Sequence, residues 1–248
     1  VIIEVKWHFN LYFLPKVCYH VFEVKKEVNF MENKYNMTLE QNIFLAKRNL
    51  VDNIYANARM EGINITFPQT KTILDGVNVP NLKIDEIQCV LNLRDAWKFV
   101  IANIDEEFNT EFICKINEYV ARNESLEWGK LRTGRVEITG TEYIPEVPDK
   151  NKVEKEINDI LKIENATERA ITYMLYGMRS QLFWDGNKRT STIAANKIMI
   201  ENGAGIIKVP DNKLEEFNKL LTEFYNTNDM KKIRKFIYEN CIDGIRMQ

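Results

Sequence analysis

Gln181-Leu182-Phe183-Trp184-Asp185-Gly186-Asn187-Lys188-Arg189-Thr190 lies between two strongly helical segments, Thr167 to about Leu182 and a helix that opens after Asn187 and ends at Gly203. The Asp185-Gly186-Asn187 turn brings backbone N–H groups to a helix N-terminus, where donors lack intrahelical acceptors and the helix dipole is positive. That arrangement cradles an anion. Asp185 offers a hard oxygen ligand for Mg²⁺, and Lys188 and Arg189 add positive charge for a polyphosphate. A magnesium-nucleotide site is one reading of the stretch; the other is an ordinary interhelical turn with Asn187 as cap and Arg189 solvated.

Outward from the turn the chain reads as a succession of capped helices. Thr38-Leu39-Glu40-Gln41 is a capping box that opens a helix with Ile43, Leu50 and Ile54 on one face, ending near Gly62. Thr66 to Gln69 repeats the device with Pro68 in the first turn and Gly76 as the stop. Asp85 to Gln88 opens a third helix, and a fourth covers Thr110 to Ala121. The period then changes. Val136-Glu137-Ile138 and Tyr143-Ile144-Pro145 around Thr139-Gly140-Thr141 predict a small β-hairpin. Helices return at Lys152–Leu161, about Asn212–Tyr225 and Asp229–Asn240, with Ile206 to Val209 extended. The fold class is mainly α: one helical domain with a small hairpin.

The chain has 248 residues, 34 Lys+Arg against 36 Asp+Glu, and only 10 Gly and 6 Pro, enough to bury a core and too few turn residues for an all-β fold. A net charge of −2 supplies no general field for a nucleic acid, so no nucleic-acid partner is expected. Four scattered cysteines form no CxxC pair, which fits a reducing, cytoplasmic setting, and no run is apolar enough for a membrane. Both histidines, His8 and His20, precede Met31. Residues 1–30 read as a non-native, poorly packed upstream extension, because Lys25-Lys26-Glu27-Val28 is what a bacterial ribosome-binding site spells in frame before a start at Met31.

Phe183, Asp185, Gly186, Asn187 and Arg189 resemble the signature loop of the Fic (Fido) domain, HPFx(D/E)GNxRxxR. Asn57-Ala58-Arg59-Met60-Glu61-Gly62 is similar to the family's inhibitory motif (S/T)xxxE(G/N), and Gly129-Lys130-Leu131-Arg132 with the hairpin looks like its flap. The resemblance implies a Fic-type helical domain in which residues 31–110 carry the inhibitory-like helix and residues 111–248 the core, flap and closing helices, as one compact unit. It implies enzymes that transfer AMP from ATP to a target hydroxyl. Asp185 would hold Mg²⁺; Phe183, Gly186, Asn187, Lys188, Arg189 and Thr192 would line the nucleotide phosphates, and Asn196 the adenosine side. Asn57, Glu61 and Gly62 would form the inhibitory element. Val136, Glu137, Ile138, Thr139, Gly140, Thr141, Glu142, Tyr143 and Ile144 would dock a protein target by strand addition.

Three departures alter that expectation. The family's catalytic His is Gln181, and an amide is not a base; the loss of a positioned base costs about 10²- to 10⁴-fold in rate. The second Arg of the motif is Thr192, so Glu61 lacks its partner and is expected to be protonated, solvated or paired with Arg189 instead. The Ser/Thr of the inhibitory motif is Asn57. The sequence therefore leaves open a transferase with residual chemistry, a nucleotide-binding regulatory module that presents its flap, and a phosphotransferase.

Overall fold

The Gln41 amide donates to the Thr38 hydroxyl at 3.2 Å and the Thr38 amide to the Gln41 side chain at 2.9 Å, so the expected capping box is formed and α1 (Leu39–Arg48) starts there. The chain is described by a computed structural model over residues 31–246, and the reading of residues 1–30 lies outside the described residues. The single helix expected to Gly62 is two, because Asn49 leaves helical ψ (+15°) and α2 (Leu50–Met60) starts on a new axis. Asparagine is a poor helix former, and the break falls on it. α2 closes with Gly62 at φ +80°: the Gly62 amide bonds the Arg59 carbonyl and the Ile63 amide the Ala58 carbonyl. These two bonds are the glycine-dependent C-cap that fixes Glu61 at the helix end.

α3 (Phe67–Leu74) begins at the Thr66–Gln69 box and stops before Gly76, as read. α4 (Ile84–Ala102) starts a residue earlier than expected, with the Lys83 amide on the Glu86 carboxylate at 2.8 Å. α5 (Thr110–Val120), α6 (Lys150–Leu161) and α7 (Ala166–Ser180) are capped by Asn109, Asp149 and Asn165. α8 (Asn187–Glu201), α9 (Leu214–Thr227) and α10 (Lys231–Asn240) complete ten helices among the described residues.

The hairpin expected at Val136–Ile144 does not form a ladder. The chain turns at Ile138–Thr141 with one 3.1 Å bond from the Thr141 amide, and the Thr141 hydroxyl takes the same Ile138 carbonyl. The arm beyond the turn is drawn to other partners: the Glu142 amide to Asn226 of α9 at 3.1 Å, and the Tyr143 ring to the Arg179 guanidinium 3.6 Å away. Pro145 has no N–H to offer. The described residues instead pair β1 (Ile206–Ile207) with β2 (Ile242–Asp243), antiparallel, Ile206 opposite Asp243.

α8 is the axis of the core. Residues 189–200 are buried on every face, although Arg189, Thr190, Ser191, Thr192, Asn196 and Lys197 are polar. In such a helix the large majority of polar groups must be paired. Ser191 and Thr192 donate to the Asn187 and Lys188 carbonyls, and Asn196 grips both backbone groups of Ile207, at 2.7 and 2.8 Å. The helix therefore holds β1 as well as its neighbours α7, α5, α4, α2 and α1.

Candidate functional site

α7 ends in Gln181 at φ +47°, ψ +58°, a left-handed conformation that costs a non-glycine residue on the order of 1 kcal/mol and turns the chain sharply toward α8. Its side chain is held at both ends: the nitrogen donates to the Met178 carbonyl at 2.6 Å and the oxygen accepts from Asn187 at 3.1 Å. Asn187 closes the loop. Its oxygen takes the Phe183 amide at 2.9 Å and its nitrogen reaches the Phe183 carbonyl at 2.8 Å, so the turn is braced from inside. Phe183 itself is buried in the core.

Gly186 caps α8 at φ +73°, and a Cβ there would stand 2.7 Å from a Val120 methyl. Only glycine suits both conditions. The first-turn amides of Asn187, Lys188 and Arg189 have no intrahelical acceptor, and these are the donors from which the sequence reading expects an anion cradle. Beside them the Asp185 carboxylate, 48% exposed, accepts from the Gly186 amide at 2.5 Å.

Both cations assigned to phosphate are engaged within the protein. The Lys188 ammonium donates to the Met60 carbonyl at the end of α2, 2.9 Å away, a favourable place for a cation. Arg189 is 3% exposed. Its Nη1 reaches Glu124 at 2.7 Å and Cys89 Sγ at 3.0 Å, Nη2 lies 3.5 Å from Asp185, and Nε lies 3.6 Å from Glu61. Glu61 has therefore paired with Arg189, one of the three outcomes the sequence allowed, with Lys188 4.0 Å from its other oxygen. Burial would lower the Arg189 pKa, but Glu61, Cys89 and Glu124 together raise it, so the cation persists. Burial pushes the Cys89 thiol up to about 12 against the pull of Arg189.

Other assignments move. Asn196, expected on the adenosine side, is fully buried, and its side-chain amide ties both backbone groups of Ile207. Thr192 is fully buried beneath Met60. Asn57 accepts the Trp97 indole N–H at 2.9 Å, fastening α2 to α4. Gly62 belongs to the α2 cap.

Two residues that hold the loop were not singled out from the sequence. Asn117 of α5, fully buried, donates to the Asp185 carbonyl at 3.0 Å and to Thr190 at 3.2 Å, and accepts the Gly129 amide at 2.9 Å. Arg132, 1% exposed, faces carbonyls alone: Gln181 and Glu146 at 2.5 Å, Pro145 at 3.4 Å, and Gly134. Burial lowers its pKa, opposed by Tyr143. The signal for Asn117 was a polar residue on the apolar face of a predicted helix; Arg132 was read only as part of the flap-like stretch, with no bracing role assigned to it. A cavity of about 610 Å³ opens between the 143–148 arm, α6 and α7, and reaches Ser180 and Leu182 on either side of Gln181.

Among the described residues no helix is long and apolar enough to cross a membrane. Residues 107–199 match the Fic/DOC family model, the family the signature loop resembles. The chain is 24% identical over 194 residues to "Protein adenylyltransferase Fic" of Drosophila persimilis, an alignment that covers 74% of this chain and 38% of that protein. It is 25% identical over 209 residues to "Protein adenylyltransferase fic-1" of Caenorhabditis elegans, covering 78% and 40%. The chain thus spans about two fifths of the length of these relatives. The solved Fic-1 structure from C. elegans superposes with a TM-score of 0.68 at 24% identity, covering 79% of this chain and 62% of that one. A Fic-domain signalling protein from Bacteroides thetaiotaomicron gives 0.66 at 15% identity, covering 82% and 85%.

Proposed function

With residues 107–199 matched to the Fic/DOC family, we propose that the chain binds Mg-ATP at the turn before α8, in a site of the kind that transfers AMP to a hydroxyl of a target protein, and that the transfer step is weakened at Gln181. The observation that carries this reading is the loop itself. Asn187, Asn117 and Arg132 brace it from three sides around a set of free-facing first-turn amides, while the residue at the base position is an amide fixed at both ends.

The residues fit Mg²⁺. The ion binds through one or two carboxylates and completes its shell with phosphate oxygens and water. The half-exposed Asp185 supplies such a carboxylate. Mg²⁺ would provide positive charge at the phosphates; the rest falls to the protein. The amides of the α8 first turn face the charge on the phosphates, and Gln181 orients the target hydroxyl. As that oxygen bonds to the α-phosphorus and pyrophosphate leaves, its proton goes to a phosphate oxygen or to water, because Gln181 cannot accept it.

The target side is the segment around Val136–Ile144. It is not paired in a ladder, so its backbone groups can pair with a partner strand, and the adjacent cavity flanks Gln181. The same lack of a ladder favours a second reading, a regulatory module that binds nucleotide and presents this segment without turnover.

Calorimetric titration with ATP, with and without Mg²⁺, tests the site. Mg²⁺-dependent binding that weakens at least about tenfold in Asp185→Ala is the expected result; absence of heat from the unaltered chain and from Glu61→Gly alike would overturn the nucleotide reading.

A further inference from the structure

We propose that Glu124 is a positioning residue that withdraws Arg189 from the phosphates, a restraint on the cradle separate from Glu61. The inference rests on the nucleotide reading above and deepens it. Glu124 lies just past α5, in a turn closed by its own amide on the Ala121 carbonyl at 3.0 Å. One carboxylate oxygen takes Arg189 Nη1 at 2.7 Å; the other takes the side-chain amide of Asn92 in α4, also at 2.7 Å. Asn92 is itself anchored on the Arg122 carbonyl at 2.9 Å. The carboxylate is thus aimed before any ligand arrives.

The pull on Arg189 is toward α4 and α5, where Cys89 Sγ and the Val120 carbonyl add to the hold. Three carboxylates, Glu61, Asp185 and Glu124, surround two cations, Lys188 and Arg189, and Lys188 is engaged at Met60. The cluster is net negative by one charge, the wrong sign for a polyphosphate. Yet Arg189 Nε, in a side chain 97% removed from solvent by its 3% exposure, has no hydrogen-bond partner, and neither has the facing Glu61 oxygen. A buried guanidinium with one donor left unused is poised to accept an anion. A phosphate oxygen can take that place once the competing carboxylates yield, and with the second arginine of the motif replaced by Thr192, Arg189 is the guanidinium of the signature loop that Glu124 controls.

The test is the affinity for Mg-ATP of the full chain and of Glu124→Gln, Asn92→Ala and Glu124→Gln with Arg189→Ala. Glu124→Gln should bind at least about fivefold tighter, the lower range of an ordinary coupling between sites, even though it melts at a lower temperature. Asn92→Ala, which frees the carboxylate without removing it, should tighten binding less and covers the case in which Glu124→Gln does not fold. The Arg189→Ala background should abolish the gain. A merely structural ion pair predicts lower melting with unchanged or weaker affinity, and that result would overturn the proposal while the cradle stands. If Glu61→Gly and Glu124→Gln both fold and neither binds ATP, the cradle reading itself fails.

Discussion

Arg132 is the residue on which the loop leans most. Its guanidinium is buried with no carboxylate beside it and faces the carbonyls of Gln181, Gly134, Pro145 and Glu146. Four acceptors around one fork stabilise only if all are kept, so Arg132→Ala should cost about 3 kcal/mol, seen as a lower urea midpoint. Arg132→Lys should recover little, because a point cation cannot match the planar fork; full recovery would show that charge alone matters. Gly186→Ala tests the opposite kind of constraint. It needs a left-handed backbone and a 2.7 Å approach to Val120 at once, and should lose about 2–4 kcal/mol and the cradle with it. Residue-level chemistry was legible where a residue type has one use, as with Gly186 or the amide at Gln181. It was not legible for Arg132 or Glu124, whose roles depend on which distant carbonyl or cation the fold brings to them.

Elements were read best where a local device defines them. The Thr38 and Thr66 boxes act within four residues, and the sequence contains all of their parts. The missing ladder at 136–145 was not legible because tertiary partners decide it: Asn226 and Arg179 draw the returning arm away from its mate. α8 shows the same dependence. Its Asn196, read as a candidate for the adenosine side, clamps β1 through both backbone groups of Ile207. Asn196→Ala should therefore destabilise by about 2–3 kcal/mol, since it strands an amide and a carbonyl of Ile207, while leaving ATP affinity unchanged. A selective loss of ATP affinity at unaltered stability would restore the ligand role.

On the scale of the fold, burial holds three thiols protonated among the described residues. Cys89 and Cys241 are pushed up to about 12 and Cys114 to about 11 from an ordinary 9.0, in each case chiefly by burial. Unfolded, they ionise near 9, so between pH 9 and 11 the unfolded state binds fewer protons than the folded one and stability falls as pH rises. The melting temperature should be level below pH 8 and decline steadily above 9; a flat profile to pH 11 would contradict it. The buried thiols are also not nucleophiles at neutral pH. A nucleotide cradle that has kept its shape and lost its base is best probed by transfer of label from α-labelled ATP with Mg²⁺ to lysate proteins by the chain beside its Gln181→His and Glu61→Gly variants. Faint or no labelling by the chain is expected, with a gain of at least about 10²-fold in Gln181→His, larger with both changes. Strong labelling by the unaltered chain, no labelling by any variant, or label that follows only the γ-phosphate would contradict it.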